Sequence, residues 1–166
     1  MIILGREHLR QIADAAEAAY PRECCGLLAG KPRPNGDIEV VRVHPSANLG
    51  KRPDRFEIDP RLWVDLSRAH GKGPVRVVGL YHSHPDRPAQ PSATDLEAAW
   101  GEDLVWIIVS VAGPGNVHAG ETVPKPQAVH VTAHLLDHGG RQFRAVELRT
   151  DDWQPYPTRD MAGPSA

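Results

Sequence analysis

Cysteine is almost absent from this chain: Cys24 and Cys25 are the whole supply, and they are adjacent. Neighbouring residues on a strand point to opposite faces, and no third thiol exists to pair with either. A disulfide scaffold is excluded, and a reducing, cytoplasmic setting is expected. An excess of positive charge is missing too. The 19 Lys and Arg against 21 Asp and Glu give a net charge of -2, without the basic stripe of a nucleic-acid binder. No apolar run approaches the length that spans a bilayer. Met1-Ile2-Ile3-Leu4 turns charged at once, unlike a signal peptide. Internal repeats are lacking. Neither a membrane nor a nucleic acid is an expected partner.

What is there is the material of one globular domain. With 166 residues, 40% hydrophobic and 24% charged, the chain can bury a proper core. Residues 1–150 are expected to form that domain and 151–166 a loose, flexible tail. Leu9, Ile12, Ala13, Ala16 and Ala19 have the spacing of one helix face, predicting a helix over 6–20 that Pro21 ends. Residues 23–29 read as a strand, 31–37 as a turn with Asn35-Gly36, and 38–43 as its hairpin partner. A polar loop follows over 44–55, then Phe56-Glu57-Ile58 as a short exposed strand. Asp59-Pro60 starts a helix that should stop at Gly71. Residues 75–81 and 104–111 read as buried strands, with a short helix from Ser92 to Trp100 between them. Residues 113–127 are Gly- and Pro-rich and read as a flexible excursion, and 128–136 with 142–148 as a terminal hairpin.

The chemistry gathers where the strand over 75–81 ends. His82 and His84 are two apart, so both imidazoles project from one side of an extended chain. Asp95 lies where a helix begins and can return to the same point. Two histidines and a carboxylate are three protein ligands for zinc, and a catalytic zinc keeps its fourth position for water. Ser92-x-x-Asp95 has a second reading, a capping box with Ser92 as N-cap.

Glu23, His82-Ser83-His84-Pro85 and Ser92-Ala93-Thr94-Asp95 resemble the JAMM signature of the MPN-plus metallopeptidases. There a distant glutamate precedes His-Ser/Thr-His, seven residues, Ser, two residues and Asp. The resemblance covers roughly residues 1–111 and is nearest to small stand-alone bacterial members. It implies an α/β fold: a mixed, curved sheet flanked by helices, broadly related to cytidine deaminases. It implies one zinc ion per chain on His82, His84 and Asp95, with Glu23 as the catalytic acid–base and Ser92 donating to the oxyanion. The substrate it implies is the Gly-Gly tail of a ubiquitin-like sulfur carrier protein. A flexible tail suits a site beside an exposed edge strand, and Phe56, Glu57 and Ile58 are expected to pair with it. Monomer and homodimer are both left open.

The remaining histidines invite plainer readings. His130 and His134 on a strand would lie about 13 Å apart and could not share an ion. His8, His44, His70, His118 and His138 are expected to be solvated, and the two cysteines to pack in the core. The alternative function is an MPN-type scaffold that binds proteins without catalysis, a class that typically lacks the metal ligands. A deaminase needs Pro-Cys-x-x-Cys, which Cys24-Cys25 does not supply.

Overall fold

The computed structural model describes residues 1–101, 103–137, 139 and 142–150; the expected tail over 151–166 lies outside them. In chain order the elements are β1 (Ile2–Leu4), α1 (Arg6–Ala19), β2 (Cys25–Pro32), β3 (Ile38–Ser46), α2 (Pro60–His70) and β4 (Arg76–Pro85). Then come α3 (Ala93–Ala98), β5 (Val105–Ala112), β6 (Val117–His118), β7 (Glu121–Thr122), β8 (Gln127–Leu136), β9 (Phe143–Val146) and β10 (Leu148–Thr150).

Eight strands form one mixed sheet in the order β10-β1-β3-β2-β4-β5-β8-β9. Its two outer strands are consecutive in the chain, with only Glu147 between Val146 and Leu148. Laid flat, strands at the two ends of such a sheet would sit about 34 Å apart. Two residues of chain span at most about 7 Å. The sheet therefore curls until its edges almost meet, which is the curved α/β architecture expected.

The curl separates two cores. On one face α1 buries Leu9, Ile12, Ala13 and Ala16 against Leu28, Val43, Tyr81, Ile107 and Val109. On the other face α2 packs Leu66 against Leu27, Leu80 and Trp106. Strand alternation makes this division: Leu27 and Leu28 on β2, and Trp106 and Ile107 on β5, serve opposite faces. The start of α2 is built as its sequence demands. Asp59 accepts a hydrogen bond from the Arg61 amide, Pro60 occupies the first turn, and Gly71 takes a left-handed φ of 51° at the end. Among the described residues no helix is long and apolar enough to cross a membrane.

Several boundaries differ from expectation for physical reasons. β1 escapes a periodicity reading because three residues are too few, yet Ile2 and Leu4 are buried between β3 and β10. β4 runs on to Pro85 because β5 pairs with it up to Pro85–Val111, so His82 and His84 stand inside the strand rather than at its exit. The excursion over 113–127 carries the small β6–β7 hairpin and a buried Val123. The last expected strand is broken at Glu147, and its second half crosses to the opposite edge of the sheet. α3 stops at Ala98, short of Trp100. Phe56-Glu57-Ile58 is not a free strand: it makes a single bridge, Ile58 to Asn48, and the Glu57 amide and carbonyl are taken by Asn48 Oδ1 and the Leu49 amide.

Candidate metal centre and active site

His82 and His84 share the face of β4 that carries Leu80, so they extend the second core toward the surface and are themselves buried. The His82 ring stacks on Phe56 with centroids 4.3 Å apart and meets Trp106 edge-on at 5.9 Å. The two Nε2 atoms face each other at 3.0 Å. His84 Nδ1 lies 2.8 Å from the Pro88 carbonyl, which can only accept, so that nitrogen carries the proton and Nε2 keeps its lone pair.

Asp95 arrives from the first turn of α3. Its Oδ1 lies 3.1 Å from His82 Nε2 and its Oδ2 lies 3.2 Å from His84 Nε2. Those separations decide what the trio suits. Ligand atoms on a tetrahedral zinc, with bonds of about 2.0–2.1 Å, are about 3.3 Å apart. Three donors at nearly that spacing, all within 4.8 Å of one another and all buried, fit a metal ion. Burial alone would raise the Asp95 carboxyl. Its contacts with the His82 and His84 imidazoles and with the Ser92 amide outweigh burial and hold the group well below the usual carboxylate range. Burial lowers His82, which favours the neutral imidazole that ligates.

Ser92 is the N-cap of α3. Its Oγ accepts from the Asp95 amide at 3.0 Å, and the Ser92 amide and hydroxyl both donate to Asp95 Oδ2, at 2.7 and 2.8 Å. The capping-box reading of Ser92-x-x-Asp95 therefore holds: the box orients the carboxylate toward the histidines, and the Ser92 hydroxyl donates its hydrogen to Asp95 Oδ2.

Glu23 sits just before β2, in the turn after α1, with its side chain 2% exposed. Ser83, between the two histidines, points to the opposite face and grips the neighbouring backbone. Its Oγ accepts from the Cys24 amide at 2.8 Å, and its amide donates to the Cys24 carbonyl at 3.1 Å. Asn48 Nδ2 holds the Glu23 carbonyl at 3.0 Å. Burial pushes the Glu23 carboxyl up to about 7, against the lowering influence of His84 and Arg87. Glu23 and Asp95 both line one cleft of about 350 Å³, together with Lys51, Arg55, Phe56 and Glu57.

The sequence family described as prokaryotic homologs of the JAB domain matches residues 5–123. The chain is a member of the prokaryotic JAB family. The desampylase of Haloferax volcanii is 35% identical over 112 residues, 66% of this chain and 78% of that protein. The CysO-cysteine peptidase of Mycobacterium tuberculosis is 28% identical, over 69% of this chain and 76% of its own length. Among solved structures, a Desulfitobacterium hafniense protein superposes with a TM-score of 0.71 at 28% identity, covering 93% of this chain and 95% of that one. A JAB1/MPN domain protein of Archaeoglobus fulgidus shares the fold, with a TM-score of 0.51 at 21% identity, covering 90% and 98%. Family and site together make this JAB-domain protein a metal-dependent peptidase of the JAMM type. A scaffold without catalysis has no use for a buried ligand trio, and that alternative is not favoured.

Sequence reasoning on this JAB domain missed the loop that follows the histidines. Asp86 takes a left-handed φ of 54°. Its carboxylate accepts from the Tyr20 hydroxyl at 2.6 Å, the Gly113 amide at 2.7 Å and Asn116 Nδ2 at 2.5 Å. The absence of a side chain at Gly113 lets the Tyr20 hydroxyl reach this carboxylate, since a Cβ there would land on it and push the Tyr20 ring aside. Arg87, next along, reaches Glu23. The loop's prolines announced stiffness, but no periodicity ties Asp86 to residues 66 positions before it and 30 after it.

The other histidines divide. His134 is buried on β8, with Nε2 2.9 Å from Thr132 Oγ1, while His130 is exposed, so the two share nothing. His44 and His70 are not fully solvated as expected: they meet edge-to-face at 6.4 Å with a buried Nε2 each. His8 and His118 are partly buried, and His138 lies outside the described residues. Burial raises Cys24 to about 11 and Cys25 to about 12, which suits packing rather than nucleophilic chemistry.

Proposed function

We propose that this JAB-domain protein is a cytoplasmic zinc peptidase. In this reading it cuts after the C-terminal Gly-Gly of a ubiquitin-like sulfur carrier protein and releases the residue or conjugate joined there. The observation that carries the reading is the spacing of His82 Nε2, His84 Nε2 and Asp95 at nearly the edge of a zinc tetrahedron, with buried Glu23 on the same cleft. The relatives named for desampylation and for a CysO-cysteine bond support a protein-tail substrate.

Zinc held by His82, His84 and Asp95 would supply Lewis acidity, which makes water a competent nucleophile near neutral pH. Glu23 then serves as proton acceptor, with a carboxyl held near 7 by burial. The same group returns that proton to the leaving amine. The Ser92 hydroxyl, which donates to Asp95, would turn to the oxyanion when Asp95 serves as a ligand. Phe56 and Glu57 line the cleft and, with Ile58, also line the neighbouring pocket; together they would form the wall along which an extended tail lies.

The test is direct. Zinc-loaded protein is incubated with tail-extended sulfur carriers, and product masses are read. Cleavage after Gly-Gly is expected, and Glu23→Gln should keep stoichiometric zinc while turnover falls by orders of magnitude. Protein that purifies without metal, or carriers that stay intact, would refute the reading.

A further inference from the structure

Arg87 belongs to no motif, yet it makes a short polar contact at the heart of the site: its Nη2 donates to Glu23 Oε1 at 2.5 Å. The guanidinium side chain is 37% exposed and the carboxylate 2%, so Arg87 reaches inward from the surface to a buried anion. The two carboxylate oxygens are thereby made unequal. Oε1 is held, while Oε2 is buried with no partner among the described residues. The last torsion of a glutamate is broad by itself. A bond to one oxygen is what fixes the direction of the other.

The segment that presents Arg87 is itself tied down residue by residue. Ser110 Oγ donates to the Arg87 carbonyl at 2.6 Å, His84 Nδ1 lies 2.8 Å from the Pro88 carbonyl, and Thr132 Oγ1 donates to the Ala89 carbonyl at 2.6 Å. Three successive carbonyls are thus held by β5, β4 and β8. Asp86, just before them, is held by Tyr20, Gly113 and Asn116. An ion pair meant only to neutralise a buried acid needs no such footing. A rigid platform under the guanidinium is what a fixed carboxylate direction requires.

We infer that Arg87 is a positioning residue for the reaction: it pins Glu23 Oε1 and so aims Oε2 at the reacting water, setting turnover rather than substrate affinity. This rests on the reading of Glu23 as the proton acceptor. A simple stabilising ion pair would change the unfolding temperature and leave kcat alone.

The test compares Arg87→Ala and Arg87→Lys in the full chain loaded with zinc, using a tail-extended carrier as substrate. Zinc content is expected to be unchanged, kcat to fall between about 10- and 100-fold in Arg87→Ala, and KM to stay within about twofold. Arg87→Lys should fall between. Added guanidinium ion at sub-denaturing concentration should restore part of kcat to Arg87→Ala but none to the Arg87→Ala, Glu23→Gln double variant. In metal-free protein, Arg87→Ala should lower the unfolding temperature when Glu23 is present and not when it is Gln. Wild-type kcat in Arg87→Ala, or a loss confined to KM, overturns the inference. The two readings fail separately. Full turnover in Glu23→Gln removes the proton-acceptor role itself, whereas an inactive Glu23→Gln beside a fully active Arg87→Ala removes only Arg87.

Discussion

Ser83 Oγ accepts the Cys24 amide hydrogen at 2.8 Å, so the residue between the two metal-binding histidines also fixes the backbone next to Glu23. One strand thus sets both sides of the site. His82 and His84 turn to the candidate metal centre, and Ser83 between them holds the turn that carries Glu23 in register.

Ser83→Ala should leave that buried amide without an acceptor, at a cost of about 1–3 kcal/mol. The expected outcome is a lower unfolding temperature and a reduced kcat with zinc content intact. Ser83→Thr, which keeps the hydroxyl, should behave much more like the parent. Calorimetry with metal analysis on the same samples checks both.

Metal binding should be linked to folding through His82, His84 and Asp95. Free zinc at about a thousandfold over its dissociation constant adds roughly 4 kcal/mol to a protein that binds it only when folded. A chelator is therefore expected to abolish cleavage and lower the unfolding temperature. In His84→Ala the melting curves with and without zinc should coincide. A zinc-induced rise that survives in His84→Ala would place the ion elsewhere.

Glu23 should make the metal-free protein less stable as pH rises. Its folded pKa, about 7, lies above that of an unfolded glutamate. The sign follows: the favourable contribution is complete below the unfolded value near 4.3 and is lost as pH climbs through 7. Replacing Glu23 with Gln removes a burial cost of at most about 4 kcal/mol at alkaline pH. The unfolding-temperature difference between Glu23→Gln and the parent should therefore be more positive at pH 8 than at pH 4. A difference independent of pH would contradict the raised value.

Asp86→Ala removes an acceptor of three hydrogen bonds from a residue in the left-handed region. Asp86→Asn keeps a carbonyl acceptor and tolerates that conformation. Denaturant titration should show Asp86→Ala less stable than Asp86→Asn, by about 1–2 kcal/mol. Equal stabilities would mean that the Tyr20, Gly113 and Asn116 contacts contribute little.

Much of the site was legible because its chemistry is local. His82 and His84 need only strand alternation to face one way, and Asp95 follows Ser92 at capping-box spacing; both are short-range rules. α2 was legible for the same reason, since Asp59, Pro60 and Gly71 each carry a backbone preference of their own. The contacts of Arg87 were not, because a guanidinium on a proline-rich loop has no local rule that points it at a residue 64 positions earlier. Phe56 was misread as strand because three alternating residues cannot report that Asn48 claims the backbone beside them. β1 and β10 were hidden by brevity: three residues each, specified by the partners that flank them rather than by their own pattern.

The return of β10 to the side of β1 also bears on biosynthesis. Every residue assigned to the reaction, from Glu23 to Asp95, has left the ribosome well before Leu148 does. A nascent chain halted at residue 123 would own its whole catalytic set. It would still present β1 with an open flank and β5 without its antiparallel neighbour β8. Chaperone occupancy of ribosome-bound fragments should accordingly persist until the last fifteen or so described residues emerge, long after the chemistry is encoded.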